Sequence, residues 1–209
     1  VNTFEVLKIR IMRILHLITS PRKSQSYSTK VGSTIVEKLT AAHPGSSVVV
    51  RDMAANPFPH LEEAHIHSFY TPEESRSAEQ VAAIAHSDEA IAEILAADAI
   101  VISVGMYNFG ITSNLKAWID HICRKGKTFN YGENGPIGLV QGKKVYLAIS
   151  TGGVYSEGFM KSYDFTENYL RAVLGFLGMT DVSVVRAEGL NIPDLQATAL
   201  EKAYAAIAV

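Results

Sequence analysis

Residues 101–120 read VISVGMYNFGITSNLKAWID. The stretch begins inside a continuous apolar run, AIVISV, that reads as a buried strand. It ends in SNLKAWIDHI, which reads as a helix with Ser113 as its expected N-cap. Between them lies GMYNFGIT, longer than a strand-to-helix turn requires. Two aromatic residues and a methionine in a polar turn offer flat apolar surface beside main-chain N–H groups, which suits the face and edge of a planar heterocycle. Simple coverage of the sheet end is the other reading of Tyr107 and Phe109.

The same alternation repeats on either side. ILHLI at residues 14–18 is a buried strand, and apolar positions Val31, Ile35, Val36 and Leu39 give residues 28–42 a helical spacing. SSVVVRD is a second strand, followed by the proline-rich loop AANPFPHL. Residues 78–97 are alanine-rich and periodic, predicting one long helix before the third strand. KKVYLAIS is a fourth strand, residues 168–177 a helix, VSVVRAEG a fifth strand, and residues 195–208 a closing helix. Strands that are continuous apolar runs, separated by helices, predict a parallel sheet covered on both faces. The expected fold is α/β, a flavodoxin-like doubly wound five-stranded parallel sheet of order 2-1-3-4-5. A single domain over residues 12–209 follows, with residues 1–11 an N-terminal extension ahead of a natural start at Met12.

Sheets of this kind bind ligands outside the carboxyl ends of their strands, so the loops after strands one, three and four carry the functional reading. The first, TSPRKSQSYS, places Ser20, Ser26 and Ser28 around a helix entry, where free N–H groups and the positive dipole end attract an anion. It matches neither GxxxxGK[ST] nor GxGxxG, and its hydroxyls suit a terminal monophosphate. An N-cap in a solvated loop is the alternative. The loop after strand four, STGG at residues 150–153, lets the backbone approach a ligand closely; an ordinary turn is its alternative.

Composition narrows the partners. Hydrophobic residues are 47% and charged residues 19% of 209, with 19 basic against 21 acidic side chains and a formal charge of -2. That balance points to no nucleic acid and no membrane surface as partner. No apolar run approaches the ~18 residues of a membrane span, and the expected location is cytoplasmic. Cys123 is the only cysteine, so an internal disulfide is impossible, and a small buried apolar role is expected for it. HLEEAHIH at residues 60–67 is not HExxH and is expected near the surface, with no metal site.

MYNF (106–109), Ser20 followed after five residues by Ser26-Tyr27-Ser28, RDMAANPFP (51–59), TFNYGENGPIGLVQGKK (128–144) and GFLGMTD (175–181) together resemble the FMN-dependent NADH azoreductases, also described as NAD(P)H:quinone oxidoreductases. The resemblance covers Met12 to nearly the C-terminus. It implies a homodimer holding tightly bound, noncovalent FMN, with NADH or NADPH as co-substrate and quinones and azo compounds as acceptors in ping-pong turnover. It assigns the phosphate to Ser20, Ser26, Tyr27 and Ser28, and the isoalloxazine to Met106, Tyr107, Asn108 and Phe109. The N1/O2 side falls to Ser150, Thr151, Gly152 and Gly153, with Phe129 and Tyr131 as candidates for lining the substrate pocket and no side chain acting as nucleophile or general acid. The family often has arginine at the position of Thr151 and glutamine at that of Tyr27. A flavodoxin-type single-electron carrier is the competing expectation, and the near-neutral charge disfavours it.

Overall fold

A computed structural model describes residues 11–209, so the expected extension lies, Ile11 apart, outside the described residues. The strands are β1 (Arg13–Ile18), β2 (Ser47–Asp52), β3 (Ala99–Gly105), β4 (Phe129–Gly132), β5 (Gly135–Gly138), β6 (Lys144–Ser150) and β7 (Asp181–Ala187). Five of them form one parallel sheet in the order β2-β1-β3-β6-β7. In chain numbering this is 2-1-3-6-7 and not the expected 2-1-3-4-5. The cause is a hairpin that the sequence reading left unassigned. Gly135, at φ 113°, supports the reversal that pairs β4 with β5. Gly138 then packs so closely on Gly178 that an added Cβ would stand 2.2 Å from the Gly178 nitrogen.

The helices are α1 (Tyr27–Ala42), α2 (Glu63–Tyr70), α3 (Ala78–Ala83), α4 (Ala85–Ala96), α5 (Ser113–Ile122), α6 (Phe165–Leu177) and α7 (Pro193–Ala205). Alternate strand residues feed two cores, as the two-residue period of a strand demands. Leu15, Leu17, Ile100, Ile102, Leu147 and Ile149 face α4, α5 and α6, whereas Ile14, Val101 and Ala148 face α1 and α7. Each of the buried leucine, isoleucine and valine side chains stabilises the fold by about 1.5–3 kcal/mol.

Three local expectations are corrected. The long helix over residues 78–97 is broken at Ile84, whose fully buried side chain goes with a non-helical backbone at φ -100° and ψ 8°. The N-cap of α5 is Thr112, not Ser113, and its hydroxyl makes no capping bond. Coverage on both faces fails at β2: as an edge strand it leaves Val48, Val49 and Val50 at 40%, 47% and 56% exposure. Among the described residues no helix is long and apolar enough to cross a membrane.

Candidate functional site

The pairing register sets two of the expected loops, and the loop after β7, level with one another. Gly105 lies opposite Ser150, and Ser150 opposite Ala187, so β3, β6 and β7 end together at one edge of the sheet. Met106 N–H donates to Ser150 O at 2.9 Å and ties two of the loops directly.

At the serine loop, Ser26 is the N-cap of α1, and its hydroxyl accepts from Thr29 N–H at 3.2 Å. Its Oγ also lies 3.0 Å from Ser28 Oγ, and Ser20 Oγ accepts from Arg22 N–H at 3.3 Å. All three serines are buried. Thr29 N–H is taken by the cap and Lys30 N–H by Ser26 O, so among the described residues the N–H groups of Tyr27 and Ser28 are left without a protein acceptor. Two free donors at the positive end of a 16-residue helix make an anion site. Arg22 lines the same cavity and stands 6.0 Å from the Tyr27 ring centroid, with Lys30 at 5.5 Å. Fixed positive charge is thus greater here than a reading of neutral hydroxyls predicts.

The MYNFG turn is tighter than its length suggests. Tyr107 N–H donates to Gly110 O at 2.9 Å and Gly110 N–H donates back to Tyr107 O at 3.1 Å, which closes a two-residue hairpin loop. Asn108 and Phe109 occupy its tip at φ 49° and 70°, in the left-handed region where asparagine is tolerated and phenylalanine is not at ease. Strain of this kind persists only where surrounding contacts impose it, and it clusters at ligand sites. Of the main-chain donors expected along 107–110, two are consumed within the turn. The N–H groups of Asn108 and Phe109 have no acceptor among the described residues.

The STGG loop is zipped to the segment after β7, which the sequence reading did not include. Leu190 N–H donates to Thr151 O, Asn191 N–H to Gly152 O and Gly189 N–H to Gly153 O, at 3.2, 2.9 and 3.1 Å. A Cβ on Gly152 would stand 2.5 Å from Nδ2 of Asn191, so any other residue here would displace the Asn191 side chain. Thr151 Oγ1 donates to Gly153 O at 2.8 Å, so this side chain braces the turn instead of reaching outward as an arginine would. Asn191 and Gln196 line the cavity beside Ser20, Ser26, Tyr27 and Met106. The rule that named the first, third and fourth strand ends applied equally to the fifth and could have found them.

Two cavities meet along these loops. One of about 290 Å³ runs from Ser20, Ser26 and Tyr27 to Met106, Ser150 and Thr151. The other, about 500 Å³, is walled by Asn108, Phe109, Gly153 and Tyr155, and the two share Met106, Gly152 and Asn191. An anion pocket leading into a broad slot with two outward N–H donors fits a flat ring on a phosphorylated side arm.

Phe129 and Tyr131 are not brought to these cavities within the chain. Phe129 packs on Phe176 at 4.6 Å between centroids, and Tyr131, 61% exposed, stands edge-on to it at 5.7 Å. Cys123 is half-buried, and burial raises its thiol pKa to about 11, consistent with an unreactive packing role. The histidine-rich segment is not wholly a surface feature: His65 is buried in α2, accepts from Glu62 N–H at 3.0 Å, and meets His121 edge-on at 4.9 Å.

A doubly wound sheet with a phosphate-type helix entry and a ring slot at its carboxyl edge defines a flavodoxin-like cofactor fold. A family model described as a flavodoxin-like fold matches residues 12–209. The chain is 48% identical over 197 residues to an FMN-dependent NADH:quinone oxidoreductase of Mesorhizobium japonicum, covering 94% of each. It is 50% identical over 194 residues to a protein of the same description from Aromatoleum aromaticum, covering 93% of this chain and 94% of the other. A solved azoreductase from Bacillus anthracis superposes with a TM-score of 0.84 at 30% identity, over 93% of this chain and 98% of that one. The chain belongs to the flavodoxin-like family, alongside the FMN-dependent NADH:quinone oxidoreductases and azoreductases.

Proposed function

We propose that residues 12–209 act as one unit, an FMN-dependent oxidoreductase that passes electrons from NAD(P)H to quinones and azo compounds. The observation that carries this reading is the pair of unpartnered N–H groups at Asn108 and Phe109, aligned by the shared cavities with the anion site of α1.

FMN, when bound, would supply the two-electron redox chemistry. The residues' part is to hold and polarise. Tyr27 and Ser28 N–H, the hydroxyls of Ser20, Ser26 and Ser28, and Arg22 would hold the phosphate. Asn108 and Phe109 N–H would meet the ring edge and the 150–153 backbone its N1/O2 side, where donors would favour developing negative charge. Met106 and Phe109 exclude water from that edge and strengthen those bonds. No side chain of the site is required to act as a nucleophile or general acid. With no nucleotide motif of its own, the chain admits NAD(P)H and then the acceptor over the same open face, in ping-pong order. The family resemblance supports a homodimer, in which the β4–β5 hairpin with Phe129 and Tyr131 reaches a partner's slot. Composition supports a cytoplasmic protein with no nucleic-acid or membrane partner.

The test is FMN reconstitution followed by NADH and NADPH oxidation with a quinone. A stoichiometry of about one FMN per chain and parallel double-reciprocal lines are expected. Tighter binding of FAD than of FMN, or a stable semiquinone without turnover, overturns the reading; the latter outcome points to the single-electron carrier.

A further inference from the structure

Arg186, the penultimate residue of β7, lines neither of these cavities, yet its guanidinium meets three carboxylates at once. Nη2 donates to Asp164 Oδ2 at 2.5 Å and to Glu167 Oε2, and Nη1 reaches Glu188 Oε1 at 3.5 Å. Two of these carboxylates are themselves anchors. Glu188 accepts from Tyr155 N–H at 2.8 Å, from Ser156 N–H at 2.9 Å and from Ser156 Oγ at 2.5 Å. Asp164, the N-cap of α6, accepts from Thr166 N–H and Glu167 N–H at 2.9 and 3.0 Å. Arg186 therefore grips both ends of the segment 155–164.

That segment carries aromatic rings to the flavin turn. Tyr163 lies 5.6 Å and Tyr155 6.4 Å from the Phe109 ring, and Phe159, 78% exposed, stands 6.3 Å from Tyr163. Tyr155 and Phe109 both wall the slot of about 500 Å³. Apart from this ionic grip and the ring contacts with Phe109, the segment's fixings among the described residues are a short 3-10 turn and local bonds.

We infer that Arg186 is a positioning residue, whose three-way ion pair fixes the 155–164 aromatic segment as the wall against which a planar acceptor stacks. The inference rests on the proposed oxidoreductase reading and adds to it the element that sets affinity for aromatic acceptors. The fork geometry of guanidinium matters: a lysine ammonium, as a single point charge, cannot present the same planar pair of donors to separate carboxylates.

The experiment uses the full chain as wild type, Arg186→Lys, Arg186→Met and Glu188→Ala. Tryptic cleavage after Lys161, inside the segment, reads anchoring directly and needs neither FMN nor quinone. Arg186→Met should accelerate that cut and raise KM for a bicyclic quinone, each about tenfold, with kcat and FMN content within about twofold. Arg186→Lys should fall between, and Glu188→Ala, which frees one end only, should show a smaller change of the same kind. Glu188→Ala also decides the matter if Arg186→Met does not fold. Unchanged cleavage, or faster cleavage with unchanged KM, overturns the inference. Failure of the wild type to bind FMN overturns the functional reading alone, because the tryptic arm still decides whether Arg186 anchors the segment.

Discussion

The main-chain N–H of Phe165, the first residue of α6, donates to the carbonyl oxygen of Phe109 across 3.1 Å. A helix start normally leaves its first donors to water or to a cap. Here one of them is spent on the tip of the turn after β3. The turn is thus held from two sides: Met106 N–H is fixed to Ser150 O, and Phe109 O to α6. These bonds supply the outside constraint that keeps Asn108 and Phe109 at positive φ in the wall of the slot, with their own N–H groups unpartnered among the described residues.

The conformation of that turn yields the first prediction. Proline at Asn108 would require φ near -65°, incompatible with the observed 49°, so it would break the turn and not merely delete one donor. Alanine and glycine both keep the N–H. Asn108→Gly should leave stability unchanged or slightly raised, and Asn108→Ala should cost about 1 kcal/mol through its Cβ in the left-handed region. Both should bind FMN within a few-fold of wild type. Urea denaturation and flavin fluorescence check the pair; an FMN affinity collapsed in both variants would show that the asparagine side chain holds the ring.

The serines of the phosphate loop should separate by role. Ser26 caps α1 and lies beside the free donors, whereas Ser28 caps nothing. Ser26→Ala should lower apo stability by about 1 kcal/mol through the lost cap. Both Ser26→Ala and Ser28→Ala should weaken FMN binding by about 1.5–3 kcal/mol, the value of a hydrogen bond to a charged group. Calorimetry of apo protein together with FMN titration measures the two effects independently. Equal apo stabilities would remove the cap from the account.

Residues 101–120 show why some of this was legible in the sequence and some was not. The alternation of continuous apolar runs with helical spacing is set by burial, and it identified the five sheet strands and the edge where loops converge. The hairpin at residues 129–138 escaped because its stability comes from docking: Val140 N–H donates to Leu177 O at 2.9 Å, and Gly138 lies on Gly178. Such distant contacts leave no local period. The ionic grip of Arg186 on Asp164 and Glu167 likewise depends on chain segments brought together only by the sheet.

Acid should weaken the fold through His16. It is buried in β1 with Nε2 2.8 Å from Ser103 Oγ, beneath Gly32, where an added Cβ would stand 1.9 Å from that same oxygen. Burial lowers its pKa from 6.5 to about 4. The native state therefore stays neutral while the unfolded chain takes up a proton below pH 6.5. Stability is full above pH 6.5 and falls as pH drops towards 4, by about 3 kcal/mol from this group. His16→Gln, which cannot titrate, should flatten that part of the pH–stability curve in urea denaturation. An unchanged slope would assign the acid sensitivity to other groups.

Tyr131 tests whether a second copy completes the slot. Its side chain is 61% exposed on β4, touching Phe129 edge-on at 5.7 Å with the Lys125 ammonium 5.9 Å from the ring centroid. It lines neither cavity of the flavin loops in its own chain. So exposed a residue contributes little to the fold, and Tyr131→Ala should change unfolding free energy by no more than about 0.5 kcal/mol. Within its own chain this ring lines neither cavity, so an effect on turnover would point to a partner subunit. If the hairpin walls a neighbour's slot, Tyr131→Ala should raise the quinone KM several-fold, or weaken dimerisation seen by sedimentation, with FMN still bound at wild-type stoichiometry. A variant that remains dimeric with an unaltered KM would leave Tyr131 as an ordinary exposed aromatic, and would return the search for the acceptor's wall to Tyr155, Phe159 and Tyr163.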